Sequence, residues 1–149
     1  PNEIDSRSAD TPVEVSPGYL PEGVSLESSE AAECNDVVIN VVKWYTVKTR
    51  EFSAATRDVP SWAGGQFFIA RTLTKQRQAP MQGAAERLSA VTIADHPAVL
   101  LKPVMPLGYD IGVAEAQIVI ADGNTITVVQ GRGMPFAEFL AVAESIYKK

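Results

Sequence analysis

Apolar and polar residues alternate along most of the chain, a pattern that is typical of β-strands. Residues 37–48 are rich in Val, Ile, Trp, Tyr and Thr, the β-branched and aromatic residues that strands favour, and neither face of this run is purely polar. Further strands are expected at 24–30, 66–75, 89–94, 98–102, 114–120 and 125–130. Asp122-Gly123 lies between the last two runs and predicts a β-hairpin, because this pair suits a tight turn.

The C-terminal region predicts one amphipathic helix. Gly131 and Gly133 interrupt the last strand, and Pro135 occupies a position that favours the first turn of a helix. Apolar side chains then recur at three- and four-residue steps and form one stripe with Leu140 near its middle: Phe136, Phe139, Leu140, Ala143, Ile146 and Tyr147. The expected fold is α+β, a curved antiparallel sheet of about six strands with the C-terminal helix packed on one face.

The chain divides into a polar N-terminal segment and one domain. Residues 1–16 contain charges, Ser, Thr and Pro, with only Ile4, Val13 and Val15 as sizeable apolar groups. Such a segment has too little apolar surface to offset the entropy of ordering it. We therefore predict a flexible tether at 1–16 and a single α+β domain at 17–149, a length that suffices for one hydrophobic core.

Charge and composition exclude several classes of function. The net charge is −5 and the basic residues are scattered, which disfavours nucleic acid as a partner. No apolar run approaches the length of about 18 residues that a transmembrane segment requires, and no signal peptide is visible. Cys34 is the only cysteine and forms no internal disulfide. The chain begins at Pro1 without Met, which we interpret as the removal of an export signal or membrane anchor, with ordinary Met removal as the alternative.

His96 and Cys34 are the residues with the greatest catalytic potential. Asp95 directly precedes His96, but adjacent residues of a strand point to opposite faces, and Pro97 indicates a turn. A nucleophile pair of Cys34 and His96 has no supporting residues around Cys34. We therefore interpret His96 as a turn residue without a catalytic role.

The sequence also contains no recognisable motif that binds phosphate or a metal ion. Gly131-Arg132-Gly133 lacks the spacing of a phosphate-binding loop and is interpreted as a strand-to-helix connection. One histidine and one cysteine are too few for a structural zinc site. A group of early carboxylates lacks the spacing of a calcium loop, and we interpret it as a solvated acidic edge that protects an edge strand from aggregation: Glu27, Glu30, Glu33 and Asp36. We expect no cofactor and no metal.

The segment 50–65 is the best candidate for a binding region. It is long for a connection inside a small domain, and such loops are usually functional or mobile. Trp62 lies beside Gly64-Gly65, so a large aromatic ring adjoins a flexible hinge. We predict an apolar groove with Trp62 at its rim and three aromatic residues of the neighbouring strands beside it: Trp44, Phe67 and Phe68. The alternative is that Trp62 caps one end of the core.

Two segments resemble a known family. Residues 117–149 give strand, Asp-Gly turn, strand, short loop and a helix that ends in Ala143-Glu144-Ser145-Ile146, and Tyr19-Leu20-Pro21-Glu22-Gly23 lies near the start. Together they resemble an uncharacterised family of extracytoplasmic bacterial domains that follow the membrane helix of some anti-sigma factors or occur in lipoproteins and secreted proteins. The resemblance implies a location in the cell envelope or outside it, and it implies no catalytic residues.

The expected function is a non-enzymatic, extracytoplasmic sensory domain that binds an apolar ligand or an envelope protein. A small hydrolase-like enzyme with an unrecognised site near Asp95 and His96 is the alternative, and a structural spacer is a third possibility. Polar residues that converge in a pocket would favour the enzyme. A spacer would show neither a sizeable pocket nor an exposed apolar patch.

Overall fold

A computed structural model of the protein describes residues 13–48, 65–73, 88–101, 116–132, 134 and 136–148. Within these ranges the chain forms seven β-strands and one α-helix. The elements are β1 (Val24–Cys34), β2 (Val37–Val47), β3 (Gly65–Leu73), β4 (Leu88–Ile93), β5 (His96–Leu101), β6 (Ala116–Asp122), β7 (Thr125–Gly131) and α1 (Phe136–Ser145).

The strands form one open sheet in the order β1-β2-β3-β7-β6-β5-β4, and every pair of neighbours is antiparallel. The sheet consists of two meanders, β1 to β3 and β4 to β7, which meet where β3 pairs with β7. The predicted α+β fold, mostly antiparallel sheet with a C-terminal helix, is confirmed, with seven strands instead of about six.

Two-residue turns close the hairpins β1–β2, β4–β5 and β6–β7, and they all lie at one end of the sheet. Both residues of the turns Asn35-Asp36 and Ala94-Asp95 have positive φ, between 49° and 70°, as type I′ hairpin turns require. The hairpin predicted at Asp122-Gly123 is confirmed. The turn predicted at 95–97 lies earlier, because His96 already pairs with Ile93 and begins β5.

The core lies between one face of the sheet and α1. Alternation along the strands directs their most buried side chains to this face, and Ile69, Ile118 and Val129 are fully buried there. From the helix, Phe139 and Val142 enter the same cluster. Leu140, expected near the middle of the helical stripe, is only partly buried. The buried face of the helix instead comprises Phe139, Val142, Ala143 and Ile146, and Leu140 lies to one side of this face.

The segment that precedes β1 packs against the sheet. Val13 and Val15 are 6% and 2% exposed and belong to the core, and the Val13 amide donates to the carbonyl of Val38 over 2.9 Å. For residues 13–16 the structure therefore differs from the predicted tether. The remainder of that prediction, residues 1–12, lies outside the described residues.

Polar contacts explain why such a polar segment packs there. The Lys43 ammonium lies 2.9 Å from the Glu14 carboxylate and donates to the Ser16 hydroxyl over 2.7 Å. The guanidinium of Arg71 donates through Nη1 to the Glu14 carbonyl and through Nε to the Thr127 hydroxyl, each over 2.9 Å. Two basic side chains of the sheet therefore satisfy the polar groups of the segment, while its two valines fill the core.

The predicted acidic edge is confirmed. β1 is an edge strand of the sheet, and Glu27, Glu30 and Glu33 are exposed along it. Asp36 lies in the turn that follows. Exposed charges on an edge strand oppose pairing with another chain, because pairing would bring like charges together or remove them from water.

Replacement of Phe139 by alanine should destabilise the fold strongly. Phe139 is 3% exposed in the centre of the core, so the change removes a buried ring and leaves a cavity, at a cost of about 3–5 kcal/mol. Urea denaturation should show a lower midpoint with an unchanged slope. Leu140→Ala is the matched control, since removal of this partly buried side chain should lower the free energy of unfolding clearly less. Equal losses of stability in the two variants would contradict the packing described.

The stability of the domain should fall at alkaline pH through Tyr45. Burial raises the pKa of this phenol above its ordinary value of 10.0, and the negative charge of Glu14 raises it further. The unfolded chain therefore loses this proton at a lower pH than the folded chain does. The stabilisation is fully present below about pH 10 and is lost as the pH rises through the folded pKa.

Tyr45→Phe should make the decline of the unfolding free energy above about pH 10 shallower in urea titrations. Tyr19→Phe removes a phenol that is 43% exposed and serves as the control. If the two variants show the same pH dependence as the parent chain, Tyr45 does not carry the effect.

Candidate functional site

A cavity of about 340 Å³ lies at the end of the sheet opposite the three hairpin turns. Its walls come from the end of β2, the start of β3 and the end of β7 with the residue that follows. The volume is within the range that small-molecule sites occupy, about 300–1,000 Å³. The lining residues are Trp44, Gly65, Gln66, Phe67, Phe68, Gln130, Gly131 and Arg132.

An aromatic pair forms the apolar wall of this cavity. Trp44 and Phe68 are directly opposite each other on β2 and β3, and their ring centroids are 5.0 Å apart at an interplanar angle of 53°. By the alternation of the strands their side chains lie on the face away from α1. Each is only partly buried, so ring surface remains accessible from solvent.

Three of the four residues predicted to bind a ligand line this one cavity, namely Trp44, Phe67 and Phe68. Phe67 is 1% exposed and stacks on Tyr45 on the core face, with ring centroids 4.9 Å apart. Its ring therefore lies on the side of the sheet that faces α1, behind the cavity. Trp62, the fourth, lies outside the described residues, a few positions before the lining residue Gly65.

The polar wall consists of Gln66, Gln130 and Arg132. The Gln66 side-chain amide donates to the Glu27 carboxylate over 3.2 Å, and Gln117 donates to the Gln130 side-chain oxygen over 3.0 Å. Arg132 is exposed and is the one charged residue among the described residues that line the cavity. The arrangement can accept a flat apolar group on the rings and can pair an anionic or carbonyl oxygen with the guanidinium.

These polar residues were not identified from the sequence. Gln66 and Gln130 lie on different strands, and only the β3–β7 register brings them to one site. In the sequence Arg132 is recognisable only as part of a glycine-flanked connection. The alternation of β7 could have placed Gln130 on the outer face, but not next to Phe68, its cross-strand partner.

Gly131 leaves no room for a side chain where β7 pairs with β3. It pairs with Phe67, and a Cβ atom added at Gly131 would overlap the Cβ and backbone of Phe67. Backbone atoms cannot rotate away as a flexible side chain can. The part of the cavity lining formed by Phe67 and Gly131 therefore depends on a position without a side chain.

His96 has a carboxylate neighbour in Asp122, not in the adjacent Asp95. Its Nδ1 lies 3.6 Å from Oδ1 of Asp122, and its ring packs on Tyr147 at 4.3 Å between centroids. Asp95 lies in the turn before it. The Tyr147 hydroxyl donates to the hydroxyl of Thr127, which is fully buried. This group of side chains supplies no exposed nucleophile.

Cys34 lies far from His96. It is buried at the end of β1, and β2, β3, β7 and β6 separate that strand from β5. At about 4.8 Å per strand, the two strands are about 24 Å apart. A nucleophile pair of these residues is therefore incompatible with the sheet order.

The described part of the chain contains no group of three or more His, Cys, Asp and Glu side chains that could hold a metal ion. The acidic residues of β1 follow the exposed edge and do not converge.

Comparison with known proteins identifies no relative of this chain: no protein-family model, no curated protein and no solved structure gives a match. Across the described ranges, none of the helical structure has both the length and the apolar content that crossing a membrane demands.

Replacement of Gly131 by alanine should destabilise the domain more than the same change at Gly123. The Gly131 variant must move β3 or β7 apart, and overpacking of this kind costs about 1–3 kcal/mol or more. Gly123 has a φ of +59° and open space around it, so alanine there meets only backbone strain of about 1–2 kcal/mol. Thermal or urea unfolding of both variants checks the order, and the reverse order would contradict the close approach of the strands.

Proposed function

We propose that this chain is a non-enzymatic ligand-binding domain whose site is the cavity lined by Trp44 and Phe68. The observation that carries the proposal is the aromatic pair on the face of the sheet away from α1, with an exposed cation, Arg132, lining the same cavity. Ligand sites combine an apolar lining with a few polar groups that fix orientation, and this cavity has both.

The preferred ligand is a small apolar molecule with a flat ring system and an anionic or carbonyl group. A flat group can pack on the accessible surfaces of Trp44 and Phe68. An acidic group would gain a charge-assisted hydrogen bond from Arg132. Gln66 is already engaged by Glu27, so this amide serves to shape the wall rather than to bind an incoming acid.

We further propose that the domain works outside the cytoplasm, anchored through a preceding segment, as a sensory module of an envelope or secreted protein. The support is the resemblance of residues 117–149 and of Tyr19-Leu20-Pro21-Glu22-Gly23 to extracytoplasmic bacterial domains. A cavity that is open on one face suits a sensor, because its ligand can enter without unfolding the sheet.

The hydrolase alternative has weaker support. Histidine with a carboxylate partner is one element of an acid–base site, and His96 has such a partner in Asp122. The imidazole is covered on one side by Tyr147, and the nearest described hydroxyl pair is internal to the fold. The cavity lies at the opposite end of the sheet from His96.

Fluorescent probe binding tests the site. N-phenyl-1-naphthylamine is flat and neutral, and 1-anilinonaphthalene-8-sulfonate has the same ring system with an added sulfonate. Both should bind saturably with one site per chain, and both should quench tryptophan emission. Trp44→Ala should weaken both by up to about tenfold, the value of one aromatic contact.

Arg132→Gln should weaken binding of the sulfonate probe and leave the affinity for the neutral probe unchanged. Val99→Ala is the matched control, since Val99 is an exposed apolar residue on β5, four strands away from Trp44 in the sheet, and its replacement should change neither affinity. Urea midpoints show whether each variant remains folded. Non-saturable binding, or equal affinity of both probes for the parent and Trp44→Ala, would reject the site and leave recognition of an envelope protein as the better account.

A further inference from the structure

The two edges of the sheet differ in their capacity to pair with another strand. β1 exposes Glu27, Glu30 and Glu33, and its pairing with β2 shifts register between Leu26 and Ser28 and again between Ala32 and Glu33. Charges and bulges of this kind protect an edge from pairing. The other edge, β4, has the sequence Leu-Ser-Ala-Val-Thr-Ile, without a charge or a proline, and its register with β5 is unbroken.

The hydrogen-bonding groups of β4 are arranged for a further strand. Ile93 and His96 flank the two-residue turn, so they form a hydrogen-bonded pair, as do the alternate pairs that follow. The backbone groups of Leu88, Ala90 and Thr92 therefore point away from β5. Within the described ranges no hydrogen bond of these residues to anything beyond the β4–β5 ladder is found. Ala90 and Thr92 are exposed.

We propose that β4 pairs with β4 of a second copy of this chain, antiparallel and about a two-fold axis at Ala90. This register pairs Ala90 with the same residue of the second copy and Leu88 with Thr92 in both directions. It uses every outward-pointing backbone group of the strand. A two-fold interface of this type closes on itself, and the sheet continues across both copies.

The second copy is favoured over other occupants by charge and by neighbouring surface. The chain has a net charge of −5, yet the strand that meets its own copy is uncharged, so the pairing adds no local repulsion. Ala90 is paired within its own sheet to Val99, which is 41% exposed on the same face. Two-fold pairing brings the Ala90–Val99 patches of both copies side by side and shields apolar surface. Pairing of β4 with the acidic β1 would build open chains of molecules and would place three glutamates on that patch.

Analytical ultracentrifugation of the full chain, with two variants, tests the proposal. The parent should form a reversible dimer. Ala90→Lys places two like charges opposite each other and should move the monomer–dimer midpoint to a concentration about tenfold higher or more. Ala32→Lys makes the same change at an exposed position of β1 and should leave the midpoint unchanged. A parent that is monomeric at millimolar concentration, or a dimer that is insensitive to Ala90→Lys, overturns the proposal.

Disulfide trapping tests the register without depending on the strength of the dimer. In a hydrogen-bonded antiparallel pair the Cα atoms are about 5.5 Å apart, within reach of a disulfide. Ala90→Cys should therefore cross-link to its own copy on oxidation, whereas Thr92→Cys, which faces Leu88, should not. The native Cys34 is buried and is present in both variants. Cross-linking of Thr92→Cys but not of Ala90→Cys, or of neither, rejects the register centred on Ala90.

Discussion

The pairing of β3 with β7 holds the domain together. It is the one ladder among the described strands that joins segments distant in the chain; the others join strands that follow each other in sequence. Closing such a long loop costs entropy before any contact repays it. The compensation is local to the same two strands, where Ile69 and Val129 are fully buried against the helix on one face, and Phe68 and Gln130 line the cavity on the other.

Much of the architecture could be predicted from local pattern. Alternation marks the strands, a turn pair marks the last hairpin, and an apolar stripe marks the helix, because each of these signals is contained in a short stretch of chain. The order of the strands is not contained in any short stretch, since nothing near Phe67 in the sequence indicates that Gly131 is its partner. The packing of residues 13–16 cannot be predicted from the sequence for a related reason. Val13 and Val15 are core residues within a polar segment, and the side chains that contact its polar atoms, Lys43 and Arg71, lie on distant strands.

The site follows the same division. The aromatic residues of β2 and β3 stand out in sequence, and three of them do line one cavity. The polar wall does not stand out, because Gln66, Gln130 and Arg132 acquire their common position only through the non-local ladder. The exposure of the acidic residues of β1 is predictable from the sequence, since charged side chains remain in water without a specific partner.

The path of the chain places the first described residues and the cavity at opposite ends of the sheet. The chain reaches the sheet at Val13, beside Val38 and the hairpin turns, whereas the cavity lies at the other end of β2, around Trp44. Between Val38 and Trp44 the strand rises about 20 Å. The described chain thus begins at the end of the sheet remote from the cavity, so a ligand held by Trp44 and Phe68, as proposed, would lie almost a full strand length from Val13.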